Sequence, residues 1–379
     1  MADAAGASPV SFKAASATGE DWAQTVKACL GALGELPEGA NLGLLYATAE
    51  LSEDLSSILT FLRERTRIED WVGTVGMGIA ASGVEYHGRP ALAVLVGALP
   101  EDSFRVFEPV SGPLEPFMER HGDWVARHHP VFGIVHGDPR NHRVDRIVDS
   151  LAAETSTFLV GGLTAGPADC PQIAGRICAG GLSGVLFGPE LPVVAGLSQG
   201  CTPISEVRTI TEAEQNVVMK IDGRPALEVF KEDIGELLAR DLRRVGGYIY
   251  AAFPIVGTDT GDYLVRNLAG IDLERGWIAV GDLVEEGRQL MFCRRDHESA
   301  EQDLKRMLAD VKRRAETPPK AAVYFSCIAR GPNLFGPESE ELKLVRDTLG
   351  DLPLVGFYAN GEISNNRLYG YTGVLALFL

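Results

Sequence analysis

No stretch of this 379-residue sequence is apolar for long enough to cross a bilayer. The longest run, Ala91 to Leu99, already contains Gly97 and falls far short of the roughly 20 residues that a spanning helix needs. Met1 to Gly19 is rich in Ala, Ser and Gly, yet lacks both the cationic start and the apolar centre of a secretory signal. A cytoplasmic protein without membrane insertion is expected. Cysteine is scattered, at 29, 170, 178, 201, 293 and 327, with no Cys-x-x-Cys pair, which argues against a zinc ribbon and against a disulfide framework. Basic residues are outnumbered, 35 against 52 acidic, and the net charge of −17 repels nucleic-acid phosphates and anionic headgroups alike. Nucleic acid is therefore not an expected partner. Gly73-Thr-Val-Gly-Met-Gly78 and Gly161-Gly-Leu-Thr-Ala-Gly166 lack the Walker lysine and read as tight strand exits rather than phosphate loops. The histidines at 128, 129, 136 and 142, with Asp138, come close to a metal set. No second cluster completes it, so neither metal nor cofactor is expected.

What the chain does contain is hydrophobic residues at 45%, enough to build proper cores in two domains. A helix is predicted from Asp21 to about Leu33, where Trp22, Val26, Cys29, Leu30 and Leu33 share one face. Gly43 to Ala47 then reads as a strand, Ser52 to Asp54 as a helix start before Leu55, Ile58, Leu59 and Leu62, and Trp71 to Gly78 as a second strand. After a turn near Val84 to Gly88, Pro90 to Leu99 makes a third strand that can pair back as a hairpin. This β-α-β-β grammar recurs from Phe132 and again from Val323, with a last helix around Glu340 to Leu349 and strands at Leu354 to Tyr358 and Gly373 to Phe378. The expected fold is α/β: duplicated β-α-β-β units forming two similar lobes with mixed sheets flanked by helices. Residues 1–40 form a tail and helix, 41–205 the first lobe and 206–379 the second. Between the copies, Asn216 to Asp222 and Pro225 to Phe230 are expected to form a hairpin turning at Asp222-Gly223, and a helix is predicted over Glu298 to Arg314.

A set of separate matches in order extends from Gln199-Gly-Cys-Thr-Pro-Ile204 through Thr211-Glu-Ala-Glu214 with Asn216, Asp222-Gly-Arg-Pro-Ala-Leu227 and Gly261-Asp-Tyr-Leu-Val-Arg-Asn267. It continues through Arg295-Asp296 and Cys327 with Arg330-Gly331 to Asn360-Gly-Glu-Ile363. These residues resemble the FIST domain family, a two-part sensory module with an N-terminal and a C-terminal segment, over about Asn41 to Leu379. The chain departs from the family where Met77 and Ala80-Ala81 stand in place of Cys, Ser or Thr, and where Ser364-Asn-Asn366 replaces a Gly-Pro continuation. The resemblance implies a stand-alone module for signal transduction that binds small ligands such as amino acids. No output segment is recognised beside it, so the signal is expected to leave through an unidentified partner protein.

The candidate site lies in the tail, where polar residues follow two hydrophobic runs as they do at the strand ends of α/β proteins. Arg330 and Glu362 could grip the carboxylate and ammonium of a zwitterion, or could form an internal salt bridge. Asn333 and Asn360 could add amide hydrogen bonds, or could stabilise turns. Cys327, close to Arg330, reads either as a buried structural thiol or as a ligand contact; as the nucleophile of an acyl or amide transferase or hydrolase it would need a base brought to it by folding. The expected function is binding of a small polar ligand rather than turnover, with a ligand-free protein adaptor as the other alternative.

Overall fold

The computed structural model describes residues 10–166, 169–255 and 262–379, so that Gly261 of the motif above lies outside the described residues. The first copy of the repeat comprises β1 (Leu42–Thr48), helix α1 (Leu55–Thr66), β2 (Asp70–Gly76), β3 (Gly78–Ala81) and β4 (Ala91–Ala98). The second comprises β5 (Phe132–Gly137), α2 (Val144–Thr155), β6 (Phe158–Leu163), β7 (Gln172–Ala174) and β8 (Leu182–Phe187). The third comprises β9 (Ala321–Cys327), α3 (Glu340–Leu349), β10 (Leu354–Ala359), β11 (Glu362–Ser364) and β12 (Gly373–Phe378).

In every copy the opening strand is central, parallel to the second strand and antiparallel to the last. The short third strand crosses into a neighbouring sheet: β3 pairs with β10, β7 with β2, and β11 with β6. Three six-stranded mixed sheets are thereby laced together in a cycle by backbone hydrogen bonds. Strands buried on both faces need apolar residues at nearly every position, which is why they read as continuous hydrophobic runs. The inner faces share one core, with Tyr46, Ile134, Val160, Phe325 and Phe357 among its members. The outer faces are covered by helices: α1 and Trp22–Leu33 on the first sheet, α2 and Glu115–His128 on the second. On the third, Met307 and Val311 of His297–Arg314 press on Gly196 of its edge strand, Val193–Ser198.

The repeat also carries a glycine signature. Gly73, Gly161 and Gly356 occupy the same place on β2, β6 and β10, in register with Leu45, Val135 and Tyr324. A Cβ at these positions would lie 1.8, 1.8 and 1.7 Å from the carbonyl oxygen of that partner, so only glycine permits the approach. Gly73 and Gly161, which the sequence placed in tight strand exits, are thus strand-packing glycines.

The α/β class with mixed sheets and flanking helices is what the chain forms. Its division differs from the expected lobes at 41–205 and 206–379. One compact unit holds the chain up to Ser198 together with Leu304–Leu368 and Thr372–Leu379, and the other holds Gln199–Asp303 with Tyr369–Tyr371. All three copies fall in the first unit, because β3 and β11 hydrogen-bond the first and second copies to the third. The second unit is built differently. Its six longer strands pair antiparallel in a closed ring, completed where Ile249–Pro254 meets Gln289–Arg294. The expected hairpin at Asp222-Gly223 is short: Arg224–Pro225 pairs with Lys220 and Ile221, after which helix Ala226–Asp233 replaces the rest of the expected strand and buries Ala226, Val229 and Phe230 in that unit's core. In the first unit β4 pairs with β1 instead of folding back as a hairpin, and its other edge is taken by Ser11–Thr18, a strand whose small residues show no clear apolar alternation.

Candidate functional site

β9 and β10 run parallel with Cys327 beside Ala359, so the loops that follow them open on one edge. After Cys327 the chain turns tightly, with the Arg330 N–H donating to the Cys327 carbonyl at 2.8 Å. Gly331 adopts φ +51°, and a side chain there would strike Tyr358 at 2.8 Å. This turn sends Arg330 inward.

Arg330 is fully buried and its partner is Glu341 from the first turn of α3, with Nε 2.8 Å from Oε1. The same carboxylate accepts from the Tyr324 hydroxyl at 2.7 Å, the Ser326 hydroxyl at 3.0 Å and the Gly331 N–H at 2.9 Å. The guanidinium also reaches the Ser198 hydroxyl at 3.4 Å and lies over the Phe335 ring. Burial works against its charge, but Glu341 and Tyr324 more than offset this and hold it firmly protonated. Arg330 therefore serves a core ion pair, with Glu341 rather than Glu362 on the other side.

Glu362 is also fully buried. It stands on β11, in register with Gly162 of β6, and its Oε2 accepts from the Thr372 N–H at 3.0 Å and the Thr372 hydroxyl at 2.8 Å. The Thr372 carbonyl in turn accepts the Cys327 N–H at 3.0 Å, which ties the thiol-bearing residue to the carboxylate's own clamp. Glu362 Oε1 has no hydrogen-bond partner, and the Cys327 thiol, a weak donor, lies near this carboxylate. Burial raises the Glu362 carboxyl to about 7, with Thr372, Arg330 and Cys327 pulling the other way.

Of the five residues expected at the site, the fold brings Cys327 and Glu362 together below the surface, Cys327 keeping 7% exposure. Asn333 and Asn360 are exposed on the loops above them. The Asn333 side chain donates to the Ile328 carbonyl at 3.2 Å, and the Asn360 N–H to the Leu163 carbonyl at 3.2 Å. Glu341 and Thr372 were missed by sequence reasoning. Glu341 looks like any acidic residue in a helix's first turn, and Thr372 has no motif around it.

The repeat allows an internal comparison. Ile79 on β3, Gln172 on β7 and Glu362 on β11 hold the same place, opposite Phe357, Thr74 and Gly162. Ile79 joins the apolar core, and Gln172 is served at both ends, donating to the Gly181 carbonyl at 3.0 Å and accepting from the Ser183 hydroxyl at 2.6 Å. Glu362 alone of the three keeps an oxygen unserved.

Deeper on the shared core, the Tyr46 hydroxyl meets His136 Nε2 at 3.1 Å, both side chains being fully buried. Burial pushes His136 down to about 3, so the imidazole is neutral at physiological pH, and its Nδ1 has no hydrogen-bond partner. The histidines that suggested a metal are separated by the fold: His128 pairs with Asp102 at 2.9 Å and stacks on Trp124, whereas Asp138 is bound by Arg140 and the Gly180 N–H. Among the described residues no group of three or more potential ligands gathers.

Comparison with known proteins gives two family matches, the FIST N domain over residues 41–224 and the FIST C domain over residues 226–365. An uncharacterised protein of Mycobacterium tuberculosis is 29% identical over 355 residues, covering 89% of this chain and 91% of that one. One from Mycobacterium bovis is 26% identical over 357 residues, covering 90% and 91%. With both domain matches in sequence order and most of the chain covered, this protein belongs to the FIST family, which is broadly associated with small-molecule sensing.

Proposed function

We propose that this protein is a sensory module that binds a small polar ligand, an amino acid among the candidates, at the edge where β9 and β10 end, and that it signals through a partner protein. The observation that supports this reading is the Glu362 carboxylate, fully buried, with one oxygen clamped by Thr372 and the other unserved beside Cys327. A buried oxygen of this kind is disfavoured unless a donor reaches it, and an ammonium or amide group of a ligand is such a donor. The repeat offers the same place three times and leaves it open once. Because Arg330 is committed to Glu341, the ligand is anchored by its cationic end at Glu362, with the exposed Asn333 and Asn360 as amide contacts at the rim.

A thermal-shift screen of the standard amino acids and their amides, followed by calorimetric titration of any hit, tests the reading. Binding to the wild type is expected, with affinity lower by about tenfold or more in Glu362→Gln, since a charge-assisted hydrogen bond is lost. Affinity for an ammonium ligand should also rise as pH passes through about 7 and Glu362 ionises. A screen without a hit, or a hit that binds the variant as tightly as the wild type, overturns the proposal.

A further inference from the structure

We propose that Cys327 is a modification site, a thiol oxidised by hydrogen peroxide with Glu362 as its proton acceptor. Cys327 keeps 7% exposure at the strand-end turn, which leaves it within reach of a small oxidant. The unserved Oε1 of Glu362 gives it a base that no other donor occupies, and Thr372 holds both partners, accepting the Cys327 N–H and donating twice to Glu362. Arg330 lies close enough to favour the ionised form of Glu362. A base whose affinity for protons is matched to neutral pH is what a weakly acidic nucleophile needs, and burial brings Glu362 to about 7.

The other cysteines lack this arrangement. Cys29 and Cys178 direct their thiols at the Ala15 and Gln172 carbonyls, and burial pushes them up to about 12 and 11. Cys293 and Cys201 sit against each other in the second unit, and that contact, with burial behind it, raises Cys293. Cys170 has Asp138 nearby, but both oxygens of Asp138 are taken by Arg140 and Gly180.

The step balances with peroxide as the only co-reactant. Glu362 takes the thiol proton while the sulfur attacks one peroxide oxygen; an S–O bond forms and the O–O bond breaks. The departing hydroxide recovers the proton from Glu362 and leaves as water. Sulfur is oxidised by two electrons to sulfenic acid and peroxide is reduced.

The proposal shares Glu362 with the ligand reading but needs no ligand, so the two fail separately. The test treats the full-length reduced protein with hydrogen peroxide near neutral pH, traps sulfenic acid with a cyclic 1,3-dione and maps the adduct by peptide mass spectrometry. Cys327 should be labelled ahead of the other cysteines, and Glu362→Gln should slow its labelling by about tenfold or more. Thr372→Val, which removes one donor from the clamp, provides a second variant should the first fold poorly, and is expected to slow labelling as well. Labelling that begins at Cys178 or Cys170, or a Cys327 rate unchanged in both folded variants, overturns the proposal. Cys327→Ser separates the readings: loss of labelling with the ligand-induced thermal shift retained supports an oxidation site distinct from ligand binding, while labelling of wild-type Cys327 in a protein with no ligand response upholds this site and removes the other.

Discussion

The Arg330–Glu341 pair makes an asymmetric prediction. Glu341→Gln keeps the size of the side chain but removes its charge, and the amide nitrogen must face either the Gly331 N–H or the Arg330 and Tyr324 donors that the carboxylate served. Arg330 cannot respond by losing its proton, because the guanidinium stays charged at any accessible pH. Leaving one member of a fully buried pair without its counter-charge typically costs about 3–5 kcal/mol. At about 2 °C per kcal/mol for a large domain, this lowers the melting temperature by about 6–10 °C. Arg330→Met should cost less, because Glu341 retains Tyr324, Ser326 and Gly331 as donors and can take up a proton. Thermal unfolding followed by near-ultraviolet circular dichroism at pH 7, in low and high salt, measures both. Glu341→Gln should be the less stable variant at either ionic strength, since a fully buried pair is little screened. Equal melting temperatures for wild type and Glu341→Gln, or the reverse order of the two variants, would refute the reasoning.

Stability should also depend on Glu362. Its folded carboxyl, at about 7, lies above the 4.5 of an ordinary glutamate, so the folded protein holds this proton more tightly than the unfolded chain. The resulting stabilisation is complete below pH 4.5 and is lost as pH rises toward 7. Glu362→Gln should therefore be more stable than wild type at pH 8, by up to about 3 kcal/mol, with the advantage vanishing near pH 4.5, as urea unfolding at the two pH values would show. A variant that gains nothing at pH 8 would mean that Glu362 ionises there without penalty. Gly161→Ala would place a Cβ 1.8 Å from the Val135 carbonyl oxygen and should abolish soluble expression or lower the melting temperature by more than Gly112→Ala, at a loop glycine with open space around it. Similar behaviour of the two alanine variants would contradict the strand-packing role.

The sequence by itself determined the local grammar. Apolar runs such as Ala321 to Phe325 can be buried on both faces only as central strands, and a helical face such as Ala300, Leu304, Met307 and Val311 needs a core to lie on, so the β-α-β-β order and the α/β class were legible from spacing. Cys327 and Glu362 were legible as candidates because the first ends and the second follows a strand of one parallel pair. Only the tertiary structure decided which strands share a sheet. The exchange of β3, β7 and β11 among the copies depends on pairing between residues far apart in sequence, from Gln172 with Thr74 to Phe357 with Ile79, and no local pattern encodes a partner at that range. The assignment of charge was hidden too, although Arg330 and Glu341 lie only 11 positions apart. Arg330 and Glu362 look complementary in a linear reading, yet the turn at Gly331 aims the guanidinium at Glu341, while β11, drawn into the second copy's sheet, carries Glu362 to Thr372. An ion pair is chosen by where side chains end up in three dimensions, and that is set by the backbone pairing of the whole unit.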